Sequence, residues 1–259
     1  MQNYLLINEL NAREKPKPIA VYNKLSQDTV PKRDLLIQWL IQVKCIISFK
    51  KNTFQHKITL KTIELAVLYV DIFLNVKNIS EQKFQLLAIC SFNLAAKFNQ
   101  KGMTNQIKIY DSNGIGIYQD HEYDDMEIEL LQTMQFQLNF ITSSDYAELI
   151  GLNLQDEKIK SYFLFILVDF QIYKYQHLEL ALAILYLSDE SVHQLQPKIH
   201  QISKIIQEAV NQHEKMYEEE DQKEQQYKSD LNKRRRIKRI KAIRKVLSKQ
   251  VKQQWRQKY

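Results

Sequence analysis

The side chains from which a catalytic or metal centre would be assembled are few and scattered. Six histidines occur in 259 residues, and no two fall at i, i+4 on one helical face, the spacing that lets one helix supply two ligands. His193 and His200 are separated by Pro197. Cys45 and Cys90 complete no ligand cluster and neither stands in a context that marks a nucleophile. Two thiols make no disulfide framework, and both lie on apolar helical faces, so they read as buried free cysteines of a reducing compartment. Gly114-Ile115-Gly116 has no Lys-Ser/Thr after it and no flanking strand, which makes it a flexible connection rather than a phosphate loop. The chain is therefore expected to be neither an enzyme nor a metalloprotein, with no cofactor and no small-molecule substrate.

What remains is charge, unevenly placed. Residues 228–259 carry 14 of the 37 Lys and Arg and one of the 30 Asp and Glu, so this tail is +13 while the rest of the chain is −6. Lys233, Arg234, Arg235, Arg236, Lys238 and Arg239 form a dense basic cluster suited to nuclear import or nucleic-acid contact. Ile240, Ile243, Leu247 and Val251 follow at spacings of three and four, which gives a basic amphipathic helix. Such a helix can dock on an acidic partner, a membrane surface or calmodulin, or it can be a solvated extended tail. The acidic run Glu218-Glu219-Glu220-Asp221 lies close enough in sequence to mask it.

The elements that must carry any function are helical. Four glycines and four prolines leave little turn material, which favours helices joined by few connections over a many-stranded sheet. No stretch reaches the ~20 apolar residues of a membrane span, and the opening MQNYLLINEL lacks the charged start and cleavage site of a signal peptide. Leu65, Val67, Val70, Phe73 and Leu74 recur at helical spacing and give one helix a broad apolar face. Between Glu81 and Phe98, by contrast, Phe84, Leu86, Leu87, Ile89, Phe92 and Leu94 point all round the axis and Ala88, Ala95 and Ala96 permit close neighbours. That helix belongs at the centre of a bundle. Ser80 is its expected N-cap, and Thr142 with Asp145 reads as a second helix start.

A weak internal repeat organises these helices. Val70-Asp71-Ile72-Phe73-Leu74 is echoed by Val168-Asp169-Phe170-Gln171-Ile172, and Leu87-Ala88 through Leu94-Ala95 by Leu180-Ala181 through Leu187-Ser188, at offsets of 98 and 93. Two helices recurring in the same order favour a duplicated all-α unit. The first unit is expected to hold helices near 31–47, 58–75, 80–98, 104–112 and 121–138. An abbreviated second unit is expected near 143–151, 156–172, 176–188 and 196–220.

Five fragments in order then resemble the cyclin box over residues 31–142. They are Lys32-Arg33-Asp34-Leu35-Leu36-Ile37-Gln38-Trp39-Leu40; Leu65-Ala66-Val67 with Val70-Asp71-x-Phe73-Leu74; Gln85-Leu86 with Ala95-Ala96-Lys97-Phe98; Met126-Glu127 before Leu130-Leu131; and Phe136, Leu138 and Thr142. The resemblance implies a cyclin-like all-α fold of two tandem helical repeats plus a basic helical tail. Its domains are an N-terminal extension (1–30), the cyclin box (31–142), an abbreviated second repeat (143–220) and the tail (221–259). It further implies that Arg33 and Asp71 form an internal ion pair and that Lys97, Glu127 and Leu86 meet a kinase's mobile regulatory helix. Read from the residues alone, Lys97 is equally a solvated lysine at a helix C-terminus, and Glu127 with Asp124 a capping box.

Some positions depart from the family pattern. Ile72 replaces the arginine after the second-helix aspartate, and Asn99-Gln100 stand where acids commonly follow the lysine, so charge around the kinase-facing surface is thin. Leu35, Leu36, Trp39 and Gln85 suit an apolar substrate-docking slot, although Leu36 and Trp39 also suit the core. Lys32 stands in place of a methionine and Gln42 in place of an acid, which would leave an incoming arginine without its charged partner. The function implied is a regulatory subunit that binds and activates a cyclin-dependent Ser/Thr protein kinase as a heterodimer, nuclear or nucleo-cytoplasmic, in cell-cycle or transcriptional control. The rival reading is a cyclin-fold nucleic-acid or transcription-assembly adaptor, which the net-acidic body disfavours.

Overall fold

The computed structural model describes residues 29–50, 58–100, 106–188, 197–212 and 215, with the side chains of the first helix described as far as Gln42. The basic cluster Lys233 to Arg239, the helix through Ile240 and Leu247, the acidic run 218–221, the Cys45 side chain and residues 1–28 lie outside the described residues. The contact pattern divides the chain into a unit ending at Gln207 and another beginning at Glu208. The architecture below concerns the first.

Helices dominate it: α1 (Thr29–Lys50), α2 (Leu60–Val76), a 3-10 turn (Glu81–Lys83), α3 (Phe84–Asn99), α4 (Asp120–Thr133), α5 (Ser143–Leu149), α6 (Glu157–Val168), α7 (Phe170–Tyr173) and α8 (His177–Ser188). A further helix, α9, begins at residue 197 and runs to the last residue of this unit, Gln207. The centre is the antiparallel-type pairing that the apolar runs demand, α2 against α3, with α1 and α4 packed on α3 and with α4, α5 and α6 packed on α2. Every residue of α3 from Leu86 to Ala96 is buried, as its all-round apolar pattern requires.

Helix α2 is more deeply enclosed than one apolar face would make it. All ten residues from Thr62 to Asp71 are buried, because α5 and α6 cover the face that its polar residues would otherwise turn to water. Thr59 caps its start, Oγ1 accepting from the Thr62 amide at 3.2 Å.

Helix α5 begins as its sequence predicts: the Asp145 carboxylate accepts from the Thr142 amide at 2.8 Å, the back-reaching half of a capping box. Elsewhere the boundaries differ. Ser80 precedes the 3-10 turn without making a side-chain cap. Helix α4 starts at Asp120 behind a capping box of Gln119 and Glu122, which places Glu127 in mid-helix and removes the alternative of a cap with Asp124. It stops at Thr133, well short of residue 138, because Gln135 (φ 53°) and Phe136 (φ 59°) enter the left-handed region. The expected helix 156–172 breaks at Asp169, whose carboxylate accepts from the Gln171 amide at 2.8 Å and starts α7.

The largest departure is the expected helix 104–112. Residues 106–111 are not helical, and a short hairpin that turns at 112–114 closes between Tyr110 and Gly116. Asn93 on α3 holds the Ile107 backbone at both ends, Nδ2 donating to its carbonyl at 2.9 Å and Oδ1 accepting from its amide at 3.0 Å. Tyr123 on α4 accepts the Ile109 amide at 2.8 Å through its hydroxyl. The Asp111 carboxylate accepts from Asn113 and Ile115 amides, and Gly114 turns the chain at φ 80°, a backbone state open to glycine. Gly114-Ile115-Gly116 is thus part of a bonded turn, not a loose connection.

Candidate functional site

Arg33 anchors the scaffold. Its side chain is fully buried; Nε and Nη2 donate to the two Asp71 carboxylate oxygens at 2.9 and 3.0 Å, the bidentate geometry a guanidinium is shaped for. The expected ion pair is present, and it is larger than expected. Nη1 also donates to the Leu167 and Val168 carbonyls at 2.8 and 2.9 Å, which are orphan acceptors at the negative end of α6. Phe170 and Tyr173 stack near the guanidinium, their ring centres at 5.5 and 5.4 Å. Asp34 completes the set at 3.0 Å from Nη1, with burial raising its carboxyl above the ordinary range against the opposing pull of Arg33. One side chain of α1 therefore ties α2 to the α6–α7 break.

Lys97 and Glu127 meet at the surface. Lys97 lies in the last turn of α3 and Glu127 in the middle of α4, and Nζ reaches both carboxylate oxygens, at 2.8 and 2.7 Å. The pair keeps contact with solvent, with side chains 37% and 20% exposed. An ammonium carries three donors, so two directed at Glu127 leave one for a carbonyl of another molecule, while the carboxylate retains lone pairs for an amide. The arrangement is a preset donor and acceptor, oriented by each other. Phe98 and Ile128, 45% and 53% exposed, stand immediately after them in sequence. Leu86 does not join this surface: at 1% exposure it is part of the α3 core, in the first turn of the helix whose last turn carries Lys97.

The apolar slot on α1 exists as an open groove of about 290 Å³ lined by Lys32, Leu35, Leu36, Trp39, Glu81, Phe84 and Gln85. Leu35 is exposed, Trp39 half-buried and Leu36 mostly core. Gln42 is exposed farther along α1 and does not line it. An acid from another element stands at the rim: Glu81, in a salt bridge with Lys32, which holds its carboxyl below the usual carboxylate range.

Sequence reasoning missed a buried polar joint. Glu64 on α2 is fully buried; its carboxylate is within hydrogen-bond range of Ser143 Oγ at 2.5 Å and accepts from the Ser144 amide at 3.0 Å. Ser143 Oγ lies 3.4 Å from His177 Nδ1. A catalytic reading of these three residues fails on access, since all are at most 2% exposed. Burial raises the Glu64 carboxyl above its ordinary value, partly opposed by the serine hydrogen bonds. Cys90 is likewise buried, which pushes its thiol up to about 12 and disfavours the thiolate that a nucleophile needs.

These features can be set beside known proteins. The model of the cyclin N-terminal domain matches residues 1–139. This chain belongs to the cyclin family. The match also runs through residues 1–30, the stretch read above as an extension. Among curated relatives, the G2/mitotic-specific cyclin C13-1 of Daucus carota is 28% identical over 152 residues, covering 57% of this chain and 41% of that protein. Cyclin-A3-2 of Arabidopsis thaliana is 24% identical over 193 residues, 73% of this chain and 45% of the relative. The chain thus spans less than half the length of these plant relatives. Its fold resembles the X-ray structure of a viral cyclin from herpesvirus saimiri, with a TM-score of 0.56 at 15% identity over 80% of this chain and 92% of that one. The cyclin fold is all-α, as the described helices are, and the family is one of regulatory proteins.

Proposed function

We infer that this cyclin family member is the regulatory subunit of a cyclin-dependent Ser/Thr protein kinase in cell-cycle or transcriptional control, and that Lys97 and Glu127 mark the kinase-binding face. The observation that carries the reading is the solvent-accessible Lys97–Glu127 pair, set across α3 and α4 at the positions where the cyclin box resemblance places the contact to the kinase's mobile helix. A protein kinase is competent only when its strand lysine pairs with the glutamate of that helix. A rigid helical partner that binds only the inward helix makes this state dominant. Shifting the population from 1:99 to 99:1 takes about 5.5 kcal/mol of differential affinity, within reach of an interface of ordinary size.

The groove beside Trp39 is read as a docking slot for an apolar substrate segment, with Glu81 rather than Gln42 as its acid. The basic cluster of the tail is read as a nuclear address.

The test is Lys97→Ala combined with Glu127→Ala. The double variant should keep its helical circular dichroism and melting temperature, since an exposed pair adds at most ~1 kcal/mol, and should lose kinase association and stimulation. Stimulation at wild-type potency would remove the assignment.

A further inference from the structure

The hairpin at 106–118 presents an apolar row that the fold does not use. With Tyr110 opposite Gly116, Ile109 stands opposite Ile117 and Asp111 opposite Ile115. Alternation then puts Ile109, Ile115 and Ile117 on one face, with Asp111 at its turn end, and Lys108, Tyr110 and Tyr118 on the other. The second face meets the body: the Tyr118 hydroxyl donates to the Gln82 carbonyl at 2.6 Å, its ring meets Tyr123 edge-on, and Lys108 pairs with Asp120. On the isoleucine face Ile115 and Ile117 are left outward at 64% and 48% exposure, with Ile109 half-buried, while on the other face Tyr110 stays exposed beside the contacts made by Lys108 and Tyr118. Two exposed isoleucines held side by side on a bonded turn offer an apolar contact point for a partner.

Its position says which one. Asn93 and Lys97 are one turn apart on α3, and Tyr123 and Glu127 are one turn apart on α4. The first of each pair grips the hairpin backbone and the second forms the surface ion pair. Hairpin and ion pair are consecutive steps along one α3–α4 seam. Helix α4 adds charge: Asp120, Glu122, Asp124, Asp125, Glu127 and Glu129 occupy it without a single Lys or Arg, and Asp124 and Asp125 are exposed.

We propose that the hairpin is a second arm of the kinase-binding face, in which Ile115 and Ile117 seat an apolar patch of the same kinase that meets Lys97 and Glu127, a patch flanked by basic side chains facing α4. This rests on the regulatory-subunit reading above. The side-chain bonds that fix the hairpin reduce the ordering cost of such a contact, and the local departure from a helix makes it a determinant of which kinase is accepted.

The experiment uses the purified full-length chain titrated calorimetrically against a panel of purified cyclin-dependent kinases. Ile115→Ser with Ile117→Ser should leave the melting temperature unchanged and weaken the best-binding kinase by about tenfold or more, the scale of losing a central apolar contact. A photo-crosslinking residue at position 117 should yield an adduct with that kinase, and one at exposed Gln171 should not; this second readout holds even if the serine variant folds poorly. Wild-type affinity of the serine variant and no adduct at 117, with binding lost in the Lys97→Ala and Glu127→Ala variant, would overturn the hairpin assignment and leave the regulatory-subunit reading intact. An adduct between two copies of this chain would overturn it in favour of self-association. Failure of the wild-type chain to bind any kinase of the panel would overturn both.

Discussion

Replacing Arg33 by alanine should be among the most damaging single changes in the described fold. The substitution leaves Asp71, at 1% exposure, as a buried carboxylate without its bidentate partner, a situation that costs about 3–5 kcal/mol. It also frees the Leu167 and Val168 carbonyls and empties the space between Phe170 and Tyr173. Asp71→Ala is not its mirror image. Arg33 then keeps Asp34 and both α6 carbonyls, so the loss should be nearer 2–3 kcal/mol, about that of hydrogen bonds to a charged group. The double variant should cost little more than Arg33→Ala alone, because no charge is left stranded, giving a coupling energy of about 1–3 kcal/mol. In a unit of this size each kcal/mol moves the melting temperature by roughly 2–4 °C. Urea and thermal unfolding of the four proteins measure the cycle, and amide exchange localises it: protection in α6 and α7 should fall in Arg33→Ala and largely survive in Asp71→Ala. Additive single effects, or an Arg33→Ala loss below about 1 kcal/mol, would refute the claim that one guanidinium joins α1, α2 and the α6–α7 break.

Three other outcomes can be measured on the same chain. The Glu64 carboxyl is raised in the folded state, so the native protein holds its proton more tightly than the unfolded chain does; stability should fall as pH rises through the ordinary glutamate range towards the folded value. Glu64→Gln should flatten that slope and match wild type only on the acid side, and an unchanged pH profile by thermal denaturation would show that Glu64 titrates normally. Gln135 is exposed and left-handed, so Gln135→Gly should raise stability by up to about 1 kcal/mol by relieving the Cβ clash, whereas destabilisation would show that the side chain matters more than the backbone. Truncation after residue 227 removes the +13 tail; nuclear enrichment in cells should fall while kinase stimulation in vitro persists, and loss of stimulation by a folded truncated chain would make the tail part of the interface.

Local pattern was enough for the helices that form the core. Apolar side chains from Leu86 to Ala96 surround their axis, so α3 has to be central whatever its neighbours are, and Leu65 through Leu74 mark α2 by one broad apolar face. The types and order of Arg33 and Asp71, read against the cyclin box, were sufficient to pair that base with its acid; that Lys97 meets Glu127 was decided by the packing of α3 on α4. The hairpin had a local signal too, Asn113-Gly114 between alternating isoleucines, but the expected fourth helix outweighed it; the decision lies with Asn93 and Tyr123, which bond its backbone from two other helices. Long-range partners decide the rest for the same reason. Glu64 and Asp71 look like the polar side of an amphipathic α2 until α5 and α6 cover that side, and burial then makes unpaired charge so costly that Ser143, Ser144 and Arg33 must meet them. Periodicity records whether a side chain prefers water; only the tertiary structure supplies the atom, 79 residues beyond Glu64 at Ser143 or 134 residues beyond Arg33 at Leu167, that takes the place of water.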